Sequence, residues 1–186
     1  MKILAGVDEV GRGSLIGPVY AAAVILNKSI NIELLKDSKS LTKGKREELD
    51  QYIKENSIWA IGQASTKEIE KINILRASLL AMKRAILKLN KKPSLILIDG
   101  NKLPDLKNYK LEYVIKGDQK IPSISAASII AKVSRDKFIK KLSKQFNGYG
   151  WDTNSGYGTK EHLKAIKKLG ITKYHRKTFS PISDLL

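Results

Sequence analysis

"PSLILIDG", Pro93 to Gly100, is the stretch on which the fold turns. Leu95 to Ile98 is apolar at every position, the pattern of a strand covered on both faces, and the run stops on a carboxylate, Asp99. Just before it, Asn73 to Asn90 ("NILRASLLAMKRAILKLN") sets Leu75, Leu79, Met82 and Ile86 at helical spacing. A helix leading into a fully buried strand is the second half of a crossover unit, which predicts a parallel strand pair with helices packed over it. Working outward, Lys2 to Asp8 and Val19 to Leu26 read as strands joined by a Gly-rich loop, hence as antiparallel neighbours, and Ile58 to Ala64 as a third strand. "LEYVI" from Leu111 is a further strand. Lys45 to Asn56 reads as a surface helix, Pro122 to Gln145 as a long helix with Pro near its start, and Lys160 to Leu169 as a shorter one closing at Gly170. The expected architecture is α/β: a mixed five-stranded sheet flanked by helices over residues 1–145, with a small basic helical extension, residues 146–186, packed on the same domain.

Composition narrows the chemistry. The chain of 186 residues has no cysteine and two histidines, so thiolate and His-rich metal sites are excluded and any cation is held by oxygen, which favours Mg²⁺ or Mn²⁺. Thirty-five Lys and Arg against 18 Asp and Glu give a net charge of +17, a field suited to a polyanion such as nucleic acid. The basic residues are dense from Lys140 onward. The N-terminus lacks the charged stretch and long apolar run of a signal peptide, and no window is apolar enough to span a membrane, so a cytoplasmic protein is expected.

The acids are placed against this charge. Asp8 ends the first strand and Asp99 the buried one; if those strands are parallel neighbours, both carboxylates emerge at one carboxyl edge, where open α/β sheets bind ligands. Glu9 follows Asp8 directly and, since side chains alternate along a strand, reaches the same point only if the chain leaves strand geometry there. Asp136 shares the face of Ile129 and Val133 on the long helix and is the fourth candidate, with a salt bridge to Lys132 or Lys140 as its other reading. Carboxylates crowded in this way suit two divalent cations about 4 Å apart, a clamp for phosphoryl displacement. Gly11, Arg12 and Gly13 directly after the acids offer a close backbone approach and a cation for phosphate. The spacing to Gly17 does not fit a dinucleotide-binding fingerprint.

Five motifs in order, "DEVGRGSLIGPV", "DSKSLT", "LILIDGN", "SISAASIIAKVSRD" and "SGYGTKEH", resemble the type 2 ribonuclease H family, ribonuclease HII, in its short archaeal-type form. The resemblance runs from Ile3 to about Phe179. It implies a ribonuclease H-like sheet and a two-metal endonuclease acting as a monomer. The implied substrates are RNA–DNA hybrids and duplex DNA carrying single ribonucleotides, cut to 5′-phosphate and 3′-hydroxyl ends. It further implies Asp8, Glu9, Asp99 and Asp136 as metal ligands, Gly11, Arg12 and Gly13 as the loop that meets the 2′-hydroxyls, Tyr157 as the residue packing on the deoxyribose, and Lys39 as a phosphate contact. That matches a physical requirement, since the 2′-hydroxyl is what distinguishes RNA from DNA. A DNA-cutting metal nuclease and a non-catalytic basic binding protein are the competing readings. His162 and His175 receive no role, and Trp59 and Trp151 are read as packing residues.

Overall fold

The structure, a computed structural model, describes residues 3–35 and 41–185; Lys39 lies outside them. Five strands, β1 (Leu4–Val10), β2 (Val19–Leu26), β3 (Ser57–Ala64), β4 (Leu95–Asp99) and β5 (Leu111–Val114), form one sheet in the order β3-β2-β1-β4-β5. β1 pairs antiparallel with β2, β2 antiparallel with β3, and the β1–β4 and β4–β5 pairs are parallel. The mixed sheet is the one expected, and Asp8 and Asp99 do stand at a common carboxyl edge, since Val7 is in register with Ile98.

Both faces are covered. α1 (Lys43–Glu55) and α3 (Pro122–Ser143) lie on one side, where Leu49, Ile53, Ala126, Ala127 and Ile130 bury with Ala22 and Val24. α2 (Thr66–Leu87) lies on the other, where Ala77, Ala81 and Met82 bury with Ala21, Ala23 and Ile98. This explains why β2 is apolar at every position: alternate residues feed alternate cores. Two glycines set the layer spacing. A Cβ on Gly6 would run into the Ser123–Ile124 backbone of α3, and one on Gly62 into the Ala81 carbonyl of α2.

Several boundaries differ from expectation, most of them by one to three residues. β1 runs two residues further, to Val10, because β2 continues to pair with it as far as Val10–Tyr20. α2 starts seven residues earlier, at a capping box in which Ser65 accepts from the Glu68 amide while Glu68 accepts from that of Ser65. It then breaks at Asn73 (φ 66°, ψ 166°), whose side chain accepts from the Arg76 amide at 3.1 Å and so starts the second half of the helix. α3 ends two residues short of Gln145.

The segment after α3 carries α4 (Trp151–Asn154) and α5 (Lys160–Leu169). It buries Tyr149, Trp151, Ala165, Ile166 and Ile182 together with Leu15 and Ile16 of the β1–β2 loop and Ile139 of α3, so the tail is part of the packing around that loop. Trp151 is 1% exposed, whereas Trp59 is exposed on β3 under the Lys54 ammonium. Among the described residues no helix is long and apolar enough to cross a membrane.

Candidate active site

The β1–β4 ladder ends at Val7–Ile98 while the β1–β2 ladder continues to Val10, so β1 projects past its parallel neighbour and carries Asp8 and Glu9 into the opening. Asp8 is opposite Ala22 and faces α3; Glu9 is opposite Ala21 and faces the other way. The chain keeps strand geometry at Glu9, so Glu9 does not join Asp8 through a bend, as was expected, but lies within range of the Asp99 charge from the other face of the strand. Asp99, at the end of the next strand, acts on both: its charge raises the pKa of each.

Asp8 is 6% exposed. Burial pushes its carboxyl well above the usual carboxylate range, and the charges of Glu9 and Asp99 push it further, against hydrogen bonds from the Ser128 hydroxyl and the Glu9 amide (2.7 Å). Burial also raises Glu9, offset in part by the Arg12 guanidinium, which donates to Glu9 Oε1 at 3.2 Å. Asp99 Oδ1 accepts from the Gly117 amide at 2.7 Å. As the side chains stand, among the described residues no three of these acids close around one point as a metal cage. What they share is an edge and hard oxygen donors, and burial disfavours the charge of Asp8 and Glu9.

Asp136 is not brought there. Its Oδ1 accepts from Lys132 Nζ at 2.9 Å, the salt bridge that was its alternative reading. It lines a separate cavity of about 220 Å³ with Lys43, Arg46, Lys140 and Asp152. α3 runs alongside β1, and Asp136 lies eight residues beyond Ser128, about 12 Å along the helix axis from the residue that reaches Asp8. The acid that does stand at the edge is Asp118, 8% exposed, in the turn Gly117–Gln119 whose first amide binds Asp99. Its signal was available: β5 is parallel to β4, so the residues just after it, "IKGD", emerge at the same carboxyl edge.

The Gly11–Gly13 loop sits beside the acids. Gly11 has φ +90°, and a Cβ there would strike the Arg135 side chain; at Gly13 a Cβ would have only Tyr157 Cε1, 3.9 Å away, within 4 Å. Gly11 is thus demanded by packing and Gly13 leaves an accessible notch against Tyr157, which is 37% exposed. Sequence reasoning missed the two groups behind this loop. Arg135 and Arg176 are both fully buried and donate to a hydroxyl and to backbone carbonyls: Arg135 binds Ser14 Oγ (2.6 Å) and the Ser155 carbonyl (3.1 Å), Arg176 the carbonyls of Gly11, Arg12 and Gly17 at 2.7 to 2.9 Å.

Comparison with known proteins decides what these motifs belong to. The sequence profile of ribonuclease HII matches residues 5–182. The chain belongs to the ribonuclease HII family. It is 90% identical to ribonuclease HII of Pelagibacter ubique over the full length of both chains, and 52% identical to ribonuclease HII of Coxiella burnetii over 98% of this chain and 91% of the relative. Among solved structures it superposes on the ribonuclease H2 of Pyrococcus horikoshii with a TM-score of 0.82 at 29% identity, covering 98% of this chain and 96% of that one. As a ribonuclease HII it is an endonuclease that hydrolyses the RNA of RNA–DNA hybrids. The expectation of a short archaeal-type form is corrected, because the close sequence relatives are bacterial.

Proposed function

We propose that Asp8, Glu9 and Asp99, with Asp118 rather than Asp136 as the fourth acid, hold two divalent cations, Mg²⁺ or Mn²⁺, and that the loop Gly11–Gly13 with Tyr157 directs cutting to the 5′ side of a ribonucleotide, including a single one within duplex DNA. The observation that carries this reading is the gathering of Asp8, Glu9 and Asp99 at one sheet edge, where burial first, and the Asp99 charge after it, raise the pKa of both Asp8 and Glu9. The donor set fits hard cations, since every group is a carboxylate, and the ribonuclease H family depends on divalent metal. When bound, such ions supply Lewis-acid activation of water and of the departing 3′-oxygen.

The chain's own residues do the rest. Asp8 is fixed from two sides by Ser128 and the Glu9 amide, and Asp99 by the Gly117 amide, so both carboxylates are oriented before substrate arrives. Arg12, about half exposed, offers its guanidinium to a phosphate flanking the junction. Tyr157 closes the notch over Gly13 and rejects or accepts the adjacent sugar by packing. Lys39 is retained as a phosphate contact on its motif alone. The protein is read as a monomer working in the cytoplasm on RNA–DNA hybrids and ribonucleotide-containing DNA.

The test uses three end-labelled duplexes, an RNA–DNA hybrid, DNA with one ribonucleotide and all-DNA, each with Mg²⁺, Mn²⁺ or EDTA. Metal-dependent cutting 5′ of the single ribonucleotide, leaving a 3′-hydroxyl, is expected. Cutting of hybrid alone would remove the junction-reading role from Gly11–Gly13 and Tyr157.

A further inference from the structure

Two arginines with no exposed surface are unusual in any protein, and here neither forms an ion pair among the described residues: their bonds run to a hydroxyl and to loop carbonyls. Arg176, from the tail, spans the loop from behind, its Nε on the Gly17 carbonyl, one terminal nitrogen on the Arg12 carbonyl and the other on that of Gly11. Arg135, from α3, ties Ser14 to the carbonyl of Ser155 and lies over the Tyr157 ring at 5.6 Å. The two side chains thus join the three segments that meet at the proposed junction site: the Gly-Arg-Gly loop, the Tyr157 loop and the C-terminal tail.

The consequence for the loop follows from peptide geometry. In a planar trans peptide the N–H points opposite to the C=O of the same unit. With the carbonyls of Gly11 and Arg12 turned inward to Arg176, the amides of Arg12 and Gly13 are turned outward. Gly11 is buried, Arg12 and Gly13 are exposed, and among the described residues neither outward amide has a hydrogen-bond partner. Two adjacent open N–H groups form a small electropositive concavity with guanidinium charge behind it.

We propose that Arg135 and Arg176 are positioning residues for substrate discrimination: they hold the Gly-Arg-Gly loop with its Arg12 and Gly13 amides facing outward, so that these amides donate hydrogen bonds to the 2′-oxygen of a ribonucleotide. This rests on the reading of Gly11–Gly13 as the junction-recognition loop. Burial, with Arg135 beside it, lowers the Arg176 guanidinium to about 9, in keeping with a charge held in place by geometry and not by a counter-ion.

Arg176→Lys separates positioning from charge, because lysine keeps the charge but cannot span three carbonyls with a planar fork. Binding is measured with Ca²⁺ as the cation on two duplexes of one sequence, all-DNA and carrying a single ribonucleotide. The expected result is that affinity for the all-DNA duplex holds while the preference for the ribonucleotide duplex falls about tenfold, the scale of a lost hydrogen bond. An R176K protein that keeps the wild-type preference, or that loses affinity for both duplexes equally, overturns the proposal. If R176K does not fold, ¹⁵N spectra of the unaltered protein decide: the Arg12 and Gly13 amide signals shift more with the ribonucleotide duplex than with all-DNA, and equal shifts overturn it. Wild-type protein with no preference for the ribonucleotide overturns the junction-recognition reading itself, and the proposal with it.

Discussion

Asp8 is a carboxylate held where ionisation is disfavoured, and that makes it a stability defect as well as a functional group. Its folded-state pKa is raised, so between the usual carboxylate value and the raised one the folded state binds more protons than the unfolded state, and stability is lost as pH rises through that window. Asp8→Asn is therefore expected to raise the urea midpoint of the metal-free protein above pH 5 and to flatten its pH dependence, while cleavage falls by at least about a hundredfold. A lower midpoint in EDTA would show that the carboxylate is satisfied in the fold without a cation. Asp118 and Asp136 make the complementary pair. Asp118→Asn is expected to abolish cleavage of a single-ribonucleotide duplex, and Asp136→Asn, which breaks only the bridge to Lys132, to leave it within a few-fold. The sequence pointed to Asp136 because its helical register is inward, yet the helix carries it about two turns past the residue that reaches Asp8.

At the level of strands and helices, glycine positions measure how closely the layers approach. Gly62 lets β3 lie directly against α2, where a methyl group would overlap the Ala81 carbonyl. Gly62→Ala is expected to cost about 1 to 3 kcal/mol by overpacking, read as a lower denaturation midpoint with cleavage retained at low temperature. The strands were legible because their apolar runs are uninterrupted: β2 was placed to the residue and β4 to its final Asp99. The start of α2 was missed although "STKE" is a capping-box signal, since the apolar pattern before Asn73 is thin and the break at Asn73 resets the helical phase. β1 was ended at Asp8 because a carboxylate looked like a terminator; the antiparallel partner extends it to Val10.

Taken as a whole, the chain closes on itself through the tail. His162 and His175 are buried side by side: Trp151 Nε1 donates to His162 Nε2 at 2.8 Å, the Thr172 amide donates to His175 Nδ1 at 2.8 Å, and the two Nε2 atoms are 3.3 Å apart. These bonds call for both rings neutral, with His162 Nδ1–H donating to the Tyr157 carbonyl at 2.9 Å. Burial lowers both, His175 to about 4. The unfolded chain takes up protons near pH 6.5 and the folded one does not, so stability is full above that value and is lost as pH falls toward 4, by about 3 kcal/mol for His175. His175→Gln is expected to shrink that loss, measured as thermal midpoints between pH 7 and 4.5. The net charge of +17 acts over the same scale: affinity for duplex should fall linearly in log–log form with salt, and a flat response would place the positive surface away from the phosphates.

From residue order alone came the alternation of strands and helices, the absence of any thiolate ligand, the positive field, and two aspartates bound for one edge. Each of these is local or compositional, carried by a run of apolar residues or by a sum of charges. Folding decided which acids meet, because proximity depends on strand register and on rise along α3, neither of which is written in spacing. It also decided what Gly11 is for: the residue behind it, Arg135, is more than a hundred positions away, and Arg176 further still. A buried guanidinium cannot be told from a solvated one in a sequence of 35 basic residues, since only the packed loop carbonyls supply the partners that let it leave water.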